Sequence, residues 1–338
     1  MLQQIKILCI SRVQCILNVL DTIYFVFFII CNIMLHIISN WYFMSKNKKL
    51  APVIAICNHK GGCGKTTSVV NLASEFGRKG CGVLVVDLDP QGNASNHIGA
   101  VRYEKLLSNI TLLFCDPSSR TDINKILEAV HSNVNPGFEN VWYIPSAQSL
   151  DKIVAETIKI TSPRPSEELK VRLDKIREAF DVILVDCPPS LTTLTENAIS
   201  AATHYITPID TGTDYSISGW ISLIEHIGKI SEITNPDLEY LGALLTRHDQ
   251  TKNVNKAIAF SVSELEKDLS TSGRLLPVYI HNSIKVGESS IVSAPIRKIA
   301  RSNKVTKDYE NLATYLIKEL KLSRSYAVSG NKKEKLGV

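Results

Sequence analysis

From Pro52 onward, apolar residues come in short β-branched runs separated by segments of helical period, the alternation expected of a parallel sheet covered by helices. The runs at 53–57, 83–88, 141–144, 182–185, 205–208, 241–245 and 276–280 are largely apolar, as strands buried on both faces should be. A helix is predicted over 66–79, which opens on a threonine pair and stops at Gly80. Another is predicted over 166–180, which opens on Ser166-Glu167-Glu168 after Pro163 and Pro165. No internal repeat or low-complexity segment interrupts 50–320. The pattern predicts an α/β fold: one doubly wound, mostly parallel sheet with helices on both faces.

Residues 1–43 differ in kind. The stretch 16–41 is largely apolar around Ile23-Tyr24-Phe25-Val26-Phe27-Phe28-Ile29-Ile30-Cys31. Its central part, 22–38, approaches the roughly 20 apolar residues a membrane helix requires, with Asn32 and His36 inside it. Lys6 and Arg12 precede it and Lys46, Lys48 and Lys49 follow, so the positive-inside rule gives no orientation. No small-residue cleavage site follows, which argues against a signal peptide. Two readings stand: a membrane helix, or a natural start at Met44, whose Met44-Ser45-Lys46-Asn47-Lys48-Lys49 directly precedes the first strand. The second is preferred. At the other end, 321–338 is mostly polar without an apolar stripe, and is expected to be a disordered tail.

Composition narrows the picture modestly. Of 338 residues 44% are hydrophobic and 21% charged, as in an ordinary globular protein, and a net charge of +5 hints at an acidic partner such as nucleic acid. The 8 cysteines show no C-x-x-C spacing, which excludes a zinc ribbon and a thioredoxin-like pair and fits a reducing compartment.

The chemistry sits at strand ends. The first strand runs into Asn58-His59-Lys60-Gly61-Gly62-Cys63-Gly64-Lys65-Thr66-Thr67 and then a helix. A loop ending Gly-Lys-Thr in that context wraps phosphates with backbone N–H groups, sets the lysine on the β/γ charge and offers the hydroxyl to Mg²⁺. Residues 60–67 are therefore assigned to nucleotide binding: Lys60, Gly61, Gly62, Cys63, Gly64, Lys65, Thr66 and Thr67. Lys60 is an added cation where the usual pattern has none. The second run ends in Asp87-Leu88-Asp89-Pro90-Gln91-Gly92-Asn93-Ala94, two carboxylates spaced i, i+2 at a strand's C-terminal edge, facing the ligand crevice of such a sheet. The fourth run ends Val185-Asp186-Cys187-Pro188-Pro189, and the Asp186 carboxylate is expected to hold Mg²⁺ through water.

Over residues 50–320 these motifs resemble the deviant Walker A family, which includes the ParA partition ATPases, MinD, the nitrogenase iron protein and the bacterial tyrosine kinases. The resemblance is closest to the ParA/Soj-type branch, since Asp87-Leu88-Asp89-Pro90-Gln91-Gly92-Asn93-Ala94 is nearly that branch's signature. Leu191, Leu194-Thr195-Glu196-Asn197-Ala198 and Pro208 also match it. It implies a P-loop ATPase over 44–320 with ATP and Mg²⁺ as cofactors, and an ATP-sandwich homodimer in which Lys60 reaches the other subunit's phosphates. Within it Lys60, Lys65 and Asp89 are catalytic, Asp89 positioning the attacking water. Thr66, Asp87 and Asp186 serve the metal, and Asn282 joins the nucleotide-binding set. It further implies non-specific DNA binding, hydrolysis stimulated by a ParB-like centromere-binding protein, a role in plasmid or chromosome partition, and a cytoplasmic, nucleoid-associated location.

Some branches and details do not match. The polar tail offers no amphipathic membrane helix of the MinD kind, Cys187 alone does not make a shared iron–sulfur site, and only Tyr326 lies in the tail, so no autokinase tyrosine cluster exists. No helix-turn-helix domain fits before Val53. Where the family places DNA-contacting arginines, Asp249-Gln250-Thr251-Lys252-Asn253 and Asn282-Ser283-Ile284-Lys285-Val286 carry only Lys252 and Lys285. These two and Arg297 are the candidate DNA contacts, Arg297 opening a second basic stretch with Lys298, Arg301, Lys304 and Lys307. The rival reading is a MinD-like or membrane-tethered positioning or scaffold ATPase, anchored at the inner membrane through 16–41.

Overall fold

The structure is a computed structural model and describes residues 50–158, 162–212, 216–249, 251, 253–268 and 275–325. The apolar segment 16–41, Lys252 and the tail residues 326–338 lie outside them.

Among the described residues, six strands form one sheet: β1 (Val53–Ile56), β2 (Val83–Asp87), β3 (Val141–Ile144), β4 (Val182–Asp186), β5 (His204–Asp210) and β6 (Glu239–Thr246). Their pairings are parallel and the order is β3-β2-β4-β1-β5-β6. The longer helices are α1 (Lys65–Arg78), α2 (Asn93–Ile98), α3 (Glu168–Ile176), α4 (Thr193–Ala201), α5 (Ser216–Thr234), α6 (Asn253–Asp268), α7 (Lys285–Ile291) and α8 (Lys304–Glu319).

The period-2 geometry of a strand explains why no alternation appears in the sequence. Val53 and Ala55 of β1, Leu84 and Val86 of β2, and Ile183 and Val185 of β4 enter a core shared with α3, α4 and α5. Ile54, Ile56, Val83, Val85, Val182 and Leu184 enter the opposite core, against α1 and α8. Both faces are dry, so both sets are apolar.

Two expectations are corrected. The run 276–280 is not a strand. It lies beside β6, with Leu276 N donating to Ala243 O at 2.9 Å and Ile280 N to Leu245 O at 2.8 Å, but only isolated bridges form, at Leu275 and His281. Pro277 has no N–H to give, and the ladder breaks around it. The tail does not begin at 321: Leu322 is buried in the α1/α8 core, and Ser325 donates to Asp181 through its N (3.1 Å) and Oγ (2.6 Å).

In this order the chain leaves β1 toward β2 and β3 on one side and toward β5 and β6 on the other. The C-terminal ends of the central strands β4 and β1 therefore border a topological switch point, where such sheets bind ligands. The loop after β1 and Asp186 at the end of β4 both lie there, with Ile56 and Asp186 in register.

Candidate nucleotide site

The loop 57–64 is shaped by glycine. Gly62 and Gly64 have φ of 73° and 93°, in the left-handed region that side chains disfavour. Gly64 caps α1, and a Cβ on it would meet Thr246 Cγ2 at 3.3 Å. The rest of the loop is pinned by its own polar groups. Asn58 Nδ2 donates to Pro208 O (2.7 Å) while its Oδ1 accepts from Lys60 N (2.9 Å). Thr246 Oγ1 donates to Cys63 O at 2.8 Å, tying the end of β6 to the loop. Gly61 and Gly62 remain exposed, so the open side of the loop consists of backbone.

Lys65 is buried and its Nζ donates to Lys60 O at 3.0 Å. A phosphate at the loop competes with that carbonyl for the ammonium and adds a charge-assisted bond. Lys60 is half-buried at the loop's start. Cys63 is buried, its Sγ donates to Lys60 O at 3.2 Å, and burial pushes the thiol's pKa up, so it contributes backbone and not a thiolate.

Asp87 and Asp186 are partners in register on adjacent parallel strands, so their side chains leave the same face side by side. Asp87 is saturated: Asp89 N donates to its Oδ1 (3.1 Å), and Ser95 N (2.8 Å) and Ser95 Oγ (2.6 Å) donate to its Oδ2. Burial nevertheless pushes its pKa up to about 7, against those bonds and with help from the Asp89 charge. Asp186 is buried, and among the described residues neither oxygen has a hydrogen-bond partner. Its pKa is raised first by burial and then by Asp87. The Thr66 hydroxyl and the Lys65 ammonium pull it down, the hydroxyl lying close without reaching hydrogen-bond geometry.

Asp89 is buried in the following turn, its Oδ1 accepting from Gln91 N at 3.0 Å. Gly92 closes that turn at φ 61°, and a Cβ there would lie 2.5 Å from the Tyr103 ring, whose hydroxyl donates to Pro90 O at 3.0 Å. The turn is held by packing and hydrogen bonds independent of any ligand.

An unpartnered buried carboxylate is costly unless a cation meets it. Among the described residues no three His, Cys, Asp or Glu side chains converge on one metal position. A divalent ion beside Asp186 would therefore draw on Thr66, water and phosphate oxygens, a donor set that suits Mg²⁺.

The sequence-predicted residues fall into groups. Residues 60–67, Asp87, Asp89 and Asp186 converge on the C-terminal edge of the sheet. Thr67 lies in the first turn of α1, its carbonyl accepting from Asn71 Nδ2 at 2.8 Å. Asn282 reaches the same edge, its N–H donating to His248 O at 3.2 Å. Lys285 pairs with Glu288 at 2.7 Å on α7. Arg297 is engaged inside the fold by Glu75 and Glu310, its side chain only 17% exposed, so it is not presented to a ligand. Lys298, Arg301, Lys304 and Lys307 are exposed. The segment 282–286 instead exposes Ile284, and Ile291 and Val292 follow it on the surface.

Sequence reasoning missed Asn58, Ser95, Thr246 and Arg247. Arg247 immediately follows β6 and carried a legible signal, a cation after an apolar strand at the edge where ligands bind.

Comparison with known proteins agrees with this geometry. The family described as an AAA domain matches residues 51–240. An uncharacterized protein of Mycobacterium tuberculosis is 32% identical over 269 residues, 79% of this chain and 79% of that one. The sporulation initiation inhibitor protein Soj of Bacillus subtilis is 29% identical over 249 residues, 73% of this chain and 90% of Soj. Among solved structures, cobyrinic acid a,c-diamide synthase of Mycobacterium smegmatis with bound ADP and magnesium aligns with a TM-score of 0.66 and 26% identity, covering 80% of this chain and 96% of that one.

Proposed function

The chain belongs to the AAA-domain family and is a ParA/Soj-type P-loop ATPase, and from that premise we propose that it works as an ATP-switched dimer that binds DNA without sequence preference and segregates it. The observation that carries the reading is the unpartnered Asp186 carboxylate beside Thr66 and Lys65, at the foot of a glycine-opened loop that begins with Lys60.

ATP with Mg²⁺ is the ligand this site takes. Backbone groups of 61–66 would line the phosphates, Lys65 would meet the β/γ charge, and Thr66 with Asp186 would hold the metal, which neutralises charge developing on the transferred phosphoryl group. Asp89, fixed in its turn, positions the attacking water. Asp87 serves from behind: its oxygens hold Ser95 and the Asp89 backbone, so it braces that turn. Lys60 supplies the cation that makes retention and hydrolysis depend on a second subunit.

The exposed cations Lys298, Arg301, Lys304 and Lys307 form the surface best suited to phosphate backbone. A ParB-like centromere-binding protein is the partner that stimulates hydrolysis and releases the DNA. The test is salt-dependent DNA binding with ATP, with ADP and without nucleotide. Binding is expected only with Mg²⁺ and ATP, and Lys60→Ala is expected to abolish both the ATP-dependent dimer and the DNA complex. Removing Lys298, Arg301 and Lys304 together should flatten the salt dependence by about 0.9 for every phosphate no longer neutralised. Equal affinity in all three nucleotide conditions would overturn the switch.

A further inference from the structure

Resting on the ATPase reading above, we propose that Arg247 is a further phosphate ligand of this site, supplied by the same subunit from the end of β6 and held ready by Asp210.

Its position follows from the backbone. Thr246, the last residue of β6, bonds the loop at Cys63 O, so the next residue must emerge over the loop. Arg247 does so in the left-handed region, at φ 52°, a conformation unusual for a residue with a long side chain. The guanidinium then lies against the open side of the loop, Nη2 standing 3.9 Å from where a Gly62 Cβ would be. Gly62 is exposed and itself left-handed, so nothing but backbone separates this cation from the phosphate-facing side.

Asp210 sets the direction of the side chain. Arg247 Nη1 donates to Asp210 Oδ2 at 3.1 Å, and Asp210 Oδ1 accepts from Gly212 N at 2.9 Å. The carboxylate is nearly buried while the arginine side chain is 58% exposed. The pair meets the nearly buried carboxylate through Nη1, while more than half of the arginine side chain stays in water. A guanidinium carries donors at several N–H groups in one plane. With Nη1 turned to Asp210, the Nη2 edge is presented to the loop, the geometry in which arginine grips phosphate oxygens. The aspartate thus fixes one edge of the fork and leaves the other for an anion, and strained backbone of this kind collects at ligand clamps.

The experiment titrates wild type, Arg247→Ala, Arg247→Lys and Asp210→Asn with Mg²⁺ and the slowly hydrolysed analogue ATPγS, and with AMP, at protein concentrations where the chain is monomeric. Arg247→Ala should weaken ATPγS by about tenfold or more, as expected for a lost charge-assisted bond, and leave AMP within about twofold. Arg247→Lys should fall between, keeping the charge but not the fork. Asp210→Asn should weaken ATPγS less than Arg247→Ala does, because a single amide oxygen cannot accept from both Arg247 Nη1 and Gly212 N and the guanidinium, though still present, is held less firmly. If Arg247→Ala does not fold, Arg247→Gln takes its place. ATPγS affinity unchanged in the Ala variant overturns the proposal. Equal losses in Arg247→Ala and Asp210→Asn, tracking an equal drop in melting temperature, also overturn it by reducing the pair to a structural contact. A wild type that binds no ATPγS fails the ATPase reading itself, whereas a wild type that binds beside an unaffected Arg247→Ala removes only this inference.

Discussion

The ends of β2 and β4 lie side by side in register, and each carries a buried aspartate, yet they treat the carboxylate in opposite ways. Asp87 at the end of β2 accepts three bonds from the protein, whereas Asp186 at the end of β4 accepts none among the described residues. Both are desolvated and both have raised pKa values, so burial alone does not separate them. What separates them is the chain that follows. After β2 the backbone turns back and plants Ser95 on Asp87. After β4 it continues through Cys187-Pro188-Pro189 and returns no donor. A satisfied carboxylate stabilises a turn, and an unsatisfied one waits for a cation.

The sharpest way to break this contrast is to neutralise Asp186. Asp186→Asn is expected to lower Mg²⁺-dependent hydrolysis by about 100-fold or more. The same variant should raise the melting temperature of the nucleotide-free protein, because it removes an unpaired buried carboxylate and its repulsion with Asp87. Steady-state hydrolysis and a thermal melt check the two halves. Wild-type turnover in this variant would end the assignment of the metal to β4.

On the β2 side the expected effects are smaller and fall on stability first. Ser95 Oγ donates to Asp87 and also accepts from Ser146 N at 2.9 Å, so Ser95→Ala strands a buried amide while depriving Asp87 of one donor. That should cost about 1–3 kcal/mol, read by denaturant unfolding, and should slow hydrolysis less than Asp186→Asn because Asp89 keeps its turn through Gly92 and Tyr103. A Ser95→Ala protein as stable as wild type would show that the saturation of Asp87 carries no weight.

This difference between two aspartates was not legible in the sequence, although nearly everything around it was. Both end an apolar run, and both match the expected motif. The donor that distinguishes them lies eight residues away and acts only after α2 folds back. The strands read correctly because two-faced burial leaves an unmistakable apolar run; the exception, 276–280, has the right hydropathy but carries Pro277, a backbone signal that hydropathy does not register. The loop was legible because each of its residues has a local reason: Gly62 and Gly64 for their φ, Lys65 and Thr66 for the phosphates and metal. Arg297 was misplaced for the opposite reason. Its partner Glu75 is 222 residues away, and a cation's partner cannot be seen in the letters beside it. Arg247 lay between these cases: a cation after an apolar run is legible in the chain, but its reach to Gly62 is set by the fold.

The subtlest consequence of the comparison is its pH dependence. A carboxylate whose folded pKa lies above its unfolded value adds stability at low pH, where both states are protonated or the native state alone is, and loses it as pH rises through the folded value. For Asp87 that window runs from about 4, the unfolded value, to about 7, and Asp186 shifts in the same direction. Three histidines oppose the trend. His59, His97 and His248 are all held below the usual imidazole value, chiefly by burial, so each favours the native state as pH rises toward 6.5. The wild-type melting curve sums both tendencies, and its net slope is not diagnostic. The difference between wild type and Asp186→Asn is, because the histidines cancel. At the acidic end of the range, where the raised Asp186 carboxyl is protonated, the two proteins should melt together. As pH rises and the carboxyl ionises, the Asn variant should melt progressively higher, by about 2–4 °C, the shift that about 1 kcal/mol produces in a domain of this size. Saturating Mg²⁺ and ATP should reverse the order, since the ionised Asp186 then meets its cation while the asparagine does not. A melting difference independent of pH would mean that Asp186 is ionised throughout, already neutralised by Lys65, and that the two strand ends differ less than their hydrogen bonds indicate.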